Sequence, residues 1–336
     1  MTMVQMPLPV EERPVADQAQ VSARFFGPFA LTVQGREIDR WRAGKARSLF
    51  QYLTLHRGQL ITRDRLNSVL WPDAEWRPAA SSLKVACHAA RSVVGAARTS
   101  TGPSESGIRL LHRDFGYMLQ FDTLWCDIDE FQALVRSGLR HSAEGNRARA
   151  MLDLEAAMSM YAGDFLSGQH CDWAVEYREH FKSLAMRALD VLRSAAMARG
   201  DTRELVAVSQ RTLHIDPHHE PTYQDLIREH GRLGEPERAR SWFLLCARRL
   251  DRDLGINPAL ETRRALHEVV SAGRADRGAP APAPHRSAGR APARPGSAGA
   301  VDPDSDFDTP QPPGFDAAVS HGPTGVAQPP PAYARP

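Results

Sequence analysis

Cysteine is scarce in this chain of 336 residues, and the four present, Cys87, Cys126, Cys171 and Cys246, stand far apart. They form no CxxC redox pair and no paired-thiolate zinc site, and they read as reduced, structural thiols. Long apolar runs are missing too, since no stretch approaches the roughly 18 consecutive apolar residues that span a bilayer. The first 20 residues carry acids and prolines where a secretory signal would be apolar. A cytoplasmic protein without a membrane partner is expected. Catalytic signatures are absent as well: there is no GxxxxGK followed by Ser or Thr, no HExxH or HxxEH, and no GxSxG around Ser48, Ser81 or Ser82. Neither an enzyme nor a cofactor or metal site is expected.

What the chain does contain is an ordinary folded composition, 42% hydrophobic and 24% charged, with 25 prolines spread unevenly. The length suits two domains with a remainder for tails. The formal charge of +2 hides a division. Residues 21–120 hold 15 Lys and Arg against 7 Asp and Glu, a net +8, whereas residues 121–272 hold 20 against 24, a net −4. The first segment is the candidate for binding a polyanion.

Residues 1–20 and 273–336 lack apolar periodicity, and APAPAP, PQPPG and QPPPAYARP cannot bury enough surface to offset the entropy of ordering, so both read as disordered. Between them, VSARFFGPFALTVQGREID reads as short strands with turns at Gly27, Pro28 and Gly35. Helical spacing follows over residues 43–56, 62–70 and 79–95, with Thr62 as an N-cap and Pro72 as a stop. IRLLHRDFGYMLQF then gives a hairpin turning at Arg113–Gly116. Strands, three helices and a closing hairpin are the ingredients of a winged helix-turn-helix. From Asp127 onward the pattern is helical, with Asp127 or Asp129 as a cap and Asp216 and Pro217 opening a later helix. Gly200 and Gly234 are 34 residues apart, the period of tetratricopeptide helix pairs, and each precedes an acid and a helix.

In the third helix Ser81, Lys84, His88 and Arg91 share one face, opposite the stripe of Leu83, Ala86, Ala90 and Val94. Such a face can enter a major groove, where Lys and Arg reach phosphates or guanine and Ser and His reach base edges. By itself the pattern equally fits a solvated helix face. The hairpin behind it, with Arg109, His112 and Arg113, supplies the basic wing that shifts the reading toward DNA. His214, His218, His219 and Glu220 superficially offer metal ligands but read better as loop groups, and Tyr161, Phe165, Trp173 and Tyr177 read as the aromatic core of stacked helices.

Several motifs in linked order carry a family resemblance. FGPFALTVQGREI, KARSLFQYLTLHRGQLITRDRLNSVLWPD, SSLKVACHAARSVVG and GYML resemble an OmpR-type winged helix. DIDEFQALV, YAGDFL, DWAVEYRE, IDPHHEPTYQDLI and LGINPALETR resemble a bacterial transcriptional activation domain. Over about residues 21–270 the chain resembles the short form of the Streptomyces antibiotic regulatory protein type of activator. The resemblance implies a soluble, nucleoid-associated bacterial regulator of a biosynthetic gene cluster. It further implies that two protomers bind direct repeats of double-stranded DNA side by side near promoters, and that they recruit RNA polymerase. The turn between the second and third helices, with Asp73, Glu75, Trp76 and Arg77, is the surface expected to face polymerase. Where the family carries larger and more basic residues near the end of the third helix, this chain has Ala89, Ala90, Ser92 and Val93.

The expected fold is mainly α: an α+β winged helix over residues 21–121, then an all-α tetratricopeptide-like domain over residues 122–272, between a disordered arm, 1–20, and a disordered tail, 273–336. Ala89, Ala90 and Ser92 support a second reading, a helical interaction scaffold whose winged helix has lost useful DNA binding.

Overall fold

The structure is a computed structural model that describes residues 19–41, 44–72, 80–96 and 107–278. Val21–Arg24 (β1) and Ala30–Val33 (β2) alternate buried with more exposed side chains, as strands with one covered face must, and pair antiparallel. Gln34 and Gly35 turn the chain into Arg36–Glu37 (β3) at positive φ. Gly44–Leu55 (α1) follows, then Ile61–Thr62 (β4) and Arg63–Leu70 (α2), where the Thr62 hydroxyl accepts from Arg65 N at 3.2 Å, the capping bond expected of it. Ala80–Ala96 (α3) leads to a hairpin of Ile108–Arg113 (β5) and Gly116–Phe121 (β6), closed by the two-residue turn Asp114–Phe115.

β4 joins this hairpin in a three-stranded sheet of order β4-β6-β5. A second sheet has the order β3-β2-β1-β7, where β7 is Leu124–Cys126 and runs parallel to β1. The amino-terminal sheet thus takes in residues beyond 121, where the helical domain was expected to begin. The reason is non-local: three residues cannot announce a strand by periodicity, but Val21, Ser22 and Ala23 offer them an edge to pair with.

The remaining elements are helices: Asp127–Ala143 (α4), Arg147–Met160 (α5), Val175–Arg199 (α6), Thr202–Ile215 (α7), Glu220–Arg232 (α8), Pro236–Leu254 (α9) and Leu260–Gly278 (α10). Neighbours pack in pairs, α4 on α5, α6 on α7 and α8 on α9, with α10 closing over α8. This is the helical, tetratricopeptide-like architecture read from the spacing. Gly200 ends α6 in the left-handed region, and Asp201 then caps α7 by accepting from Glu204 N at 3.0 Å. Gly234 repeats the left-handed turn before α9. The loop of histidines differs from expectation: α8 starts at Glu220, while Asp216 belongs to the end of α7 and accepts from His218 N. Likewise α10 runs to Gly278, past residue 273 where the tail was expected to start. Residues 1–18 and 279–336 lie outside the described residues.

The two halves share a core. Phe25 and Phe26, immediately after β1, project into the helical half: Phe25 stacks on Phe165 at 5.5 Å, and Phe26 meets Phe131, Tyr161 and Phe181 at 5.0, 4.9 and 5.3 Å. Backbone bonds accompany the rings, Leu166 N to Phe25 O and Gly27 N to Asp164 O. Asp127 does not cap α4 in the expected way. Its buried carboxylate accepts from Phe25 N, Phe26 N and Ile128 N, each at 2.8–2.9 Å, and so pins the end of β1 to the start of α4. Burial pushes this carboxyl up to about 6, the three N–H donors acting in the opposite sense. Asp129 also departs from the cap reading, pairing with Arg57 just after α1. The aromatics Tyr161, Phe165, Trp173 and Tyr177 are core, as read, but a core between the two modules: Trp173 packs edge-on against Tyr52 of α1 and donates to Ser48 Oγ at 3.3 Å.

Candidate nucleic-acid interface

α3 turns its apolar stripe inward, with Leu83, Ala86, Ala90 and Val94 all buried. Ala89 and Val93 are buried as well, Ala89 and Ala90 lying against Ala46 of α1 with Trp41 and Leu110 beside them. The small residues near the end of α3 are therefore packing residues. Ala89 and Ala90 are thus fitted to α1, and their size carries no information about the solvent face, which takes two of the three residues, Ser92 being the other, out of the support for the scaffold reading.

The outward face carries Lys84, Val85, His88 and Arg91. Ser81 lies in the first turn of the same helix. Val85 was not singled out in the sequence, although its place beside Lys84 and off the buried stripe was the available signal. It is 60% exposed in the middle of a polar face, where an apolar group can meet the methyl of thymine. Arg91 is partly committed: its Nε and Nη2 donate to the Leu110 carbonyl of β5 at 3.2 and 3.0 Å. That acceptor is neutral, so the guanidinium keeps its charge while tying α3 to the hairpin. Burial pushes the thiol of Cys87, on the inner side of α3 near Tyr117 of β6, up to about 11. A thiol so held is not a nucleophile at neutral pH.

In the hairpin, Arg113 and His112 are exposed near the tip, while Arg109 pairs with Asp122 at 2.7 Å and so has part of its charge matched. Arg63, which the sequence did not point to, reaches the tip from α2. Its Nη2 lies 2.7 Å from His112 Nε2 and donates to the Asp114 carbonyl at 3.0 Å. Only the pairing of β4 with β6 brings Arg63 there. Lys84, His88 and Arg91 are thus exposed on α3, Arg113 on the hairpin to which Arg91 bonds, and Arg63 reaches the hairpin tip from α2. Asp73, Glu75, Trp76 and Arg77 lie outside the described residues.

The histidine loop holds no ligand cluster. His218 bonds to Asp253 Oδ2, His219 to Thr222 Oγ1, and Glu220 accepts from Ala259 N and Thr262 Oγ1. Among the described residues no group of three His, Cys, Asp or Glu side chains stands together as a metal site, and no helix is long and apolar enough to cross a membrane.

Fold and interface together define a winged helix docked on a tetratricopeptide-like helical domain. Residues 126–270 match the bacterial transcriptional activator domain. The chain is 26% identical over 234 residues to the transcriptional regulator RedD of Streptomyces coelicolor, covering 68% of this chain and 65% of RedD. It is 24% identical over 256 residues to the transcriptional regulatory protein MoaR1 of Mycobacterium tuberculosis, covering 74% and 79%, and 22% identical over 233 residues to the regulatory protein DnrI of Streptomyces peucetius, covering 68% and 85%. The chain thus spans just under two thirds of RedD. A solved structure of M. tuberculosis EmbR, in complex with a low-affinity phosphopeptide, superposes with a TM-score of 0.58 at 21% identity, over 77% of this chain and 70% of that one, a likeness of fold. The chain is thus similar to regulators of the Streptomyces antibiotic regulatory protein type, the match to the bacterial transcriptional activator domain family covering residues 126–270. That family and these relatives are transcriptional regulators, not enzymes.

Proposed function

We propose that the protein is a sequence-specific transcription activator of the bacterial cytoplasm that associates with the nucleoid, binds direct repeats near promoters and recruits RNA polymerase, in control of a biosynthetic gene cluster. The observation that carries the reading is the tie between α3 and the hairpin, with Lys84, His88 and Arg91 exposed on the helix, Arg113 exposed on the hairpin, and Arg91 and Arg63 bonded to main-chain carbonyls of the hairpin. Exposed basic groups are what a phosphate backbone neutralises with release of counterions. Lys84, Val85 and His88 read base edges in the major groove, Ser81 assists from the first turn, and Arg109 and Arg113 approach the adjacent backbone. Two protomers side by side read the two halves of the repeat, and the segment with Asp73, Glu75, Trp76 and Arg77 meets polymerase with an aromatic anchor among charges of both signs.

The test is a salt titration of the full chain on duplex DNA. Affinity falls steeply with salt, and Arg113→Ala lowers the slope of log K against log salt by about 1. Binding that ignores salt contradicts the reading. Transcription from a target promoter with purified polymerase tests recruitment: Trp76→Ala with Glu75→Ala abolishes the transcript while the DNA-bound fraction stays unchanged.

A further inference from the structure

Among the described residues before α4, three large apolar side chains are exposed: Leu60, Val85 and Phe115. Val85 belongs to the face of α3. The other two belong to the hairpin tip and the residue before β4: Phe115 is 59% exposed in the turn, and Leu60 lies against Gly116. The backbone that presents Phe115 is fixed. Arg63 N donates to the Phe115 carbonyl at 3.0 Å, Arg63 Nη2 donates to the Asp114 carbonyl next to it, and the following Gly116 lies so close to Ile61 that a Cβ there would stand 2.3 Å from the Ile61 carbonyl oxygen. An aromatic ring is thus held out on a rigid turn. Its surroundings are Arg113, His112 and Arg63. An apolar protein partner would have to strip water from those groups without repayment, whereas a polyanion matches them and leaves the ring facing the groove between two phosphate rows.

We propose that Phe115 is an apolar wedge that enters the minor groove of bound DNA, parts one base step and bends the duplex, with Arg113 and Arg63 gripping the phosphates on either side. This rests on the reading of α3 and the hairpin as the DNA-binding face. Side chains that act this way are large and apolar, and the bends they cause are roughly 20–90°. A pyrimidine–purine step under the tip is preferred, because such steps unstack at least cost.

The experiment uses the full chain and duplexes recovered by capture from genomic fragments, carrying donor and acceptor dyes at their ends and 2-aminopurine at the step beneath the wing. The wild type shortens the end-to-end distance and raises 2-aminopurine fluorescence on binding. Phe115→Ala binds several-fold more weakly, leaves the duplex nearly straight and leaves 2-aminopurine quenched, with an unchanged melting temperature. Phe115→Leu restores most of the bend. Equal bending by wild type and Phe115→Ala, or bound but straight DNA with both, overturns the wedge while leaving the DNA-binding reading intact. Loss of association between protomers in sedimentation, with the bend retained, also overturns it by assigning Phe115 to a protein contact. A wild type that captures and binds no duplex overturns both readings together.

Discussion

Lys84 and Val85 are neighbours on α3, yet their removal is expected to fail in different ways. A lysine that reaches a base edge or phosphate contributes charge, so Lys84→Ala weakens binding by about 1–3 kcal/mol and flattens the preference at the base pair it reads. Val85→Ser removes at most a methyl contact, costs roughly 1 kcal/mol, and matters only where thymine lies beneath it. Competition binding across a series of single base-pair changes separates the two, and identical profiles for both variants would show that neither reads a base. Arg91→Ala has a further signature: because its guanidinium bonds to the Leu110 carbonyl, the variant also melts earlier, which Lys84→Ala does not. At the other end of the module Asp127 supplies a pH test. Its carboxyl, raised from 3.8 to about 6 by burial, holds a proton in the folded state that the unfolded chain releases at lower pH. Its contribution to stability is therefore present below pH 4 and lost as pH rises through about 6, on the order of 3 kcal/mol at most. Relative to Asp127→Asn, whose side chain does not titrate, the wild type loses stability across that window in denaturant unfolding. A wild-type advantage that grows with pH would mean that the three N–H donors outweigh burial and keep the carboxylate ionised.

α3 and its hairpin work as one element, and the joint between them is where substitution should be felt. Gly116→Ala places a Cβ against the Ile61 carbonyl, so β4 and β6 must part, at about 1–3 kcal/mol of stability by denaturant unfolding, with weaker DNA binding as the tip loses its hold. Unchanged stability would show that the sheet yields without cost. The exposed face of α3 was legible in the sequence because Lys84, His88 and Arg91 keep helical spacing against a buried stripe at Leu83, Ala86, Ala90 and Val94. Thr62 was legible for a similar reason, since a cap acts within a few residues of itself. Arg63 at the wing tip, the Leu110 carbonyl as partner of Arg91, and the burial of Ala89 were not legible. Each depends on where a strand or helix distant in sequence comes to lie, and helical spacing says which residues share a face without saying what that face meets.

At the scale of the whole molecule, the two modules are joined by ring packing and by a buried carboxylate, so the wing stands in a fixed relation to the helices of residues 127–278. The rings of Phe25 and Phe26 sit among Phe131, Phe165 and Phe181, and β1 takes β7 as its neighbour. A fragment of residues 21–121 lacks β7 and strips both rings of their partners in the helical half, so it melts several degrees or more below the full chain. The full chain melts in one transition whether followed at the sheet or at the helices. Two separated transitions would show that the modules fold independently. That shared core also accounts for why the boundary near residue 121 misleads: charge and periodicity change there, but packing does not. The claim on which everything else depends is that α3 and the wing read a DNA sequence, and the most direct measurement is capture of fragmented genomic DNA by the purified full chain, wild type beside Lys84→Ala with His88→Ala. The wild type is predicted to enrich a small set of promoter fragments that share a direct repeat, and the double variant to lose that enrichment while keeping its fold. Even recovery of all fragments by the wild type, or the same enrichment by both proteins, would contradict it.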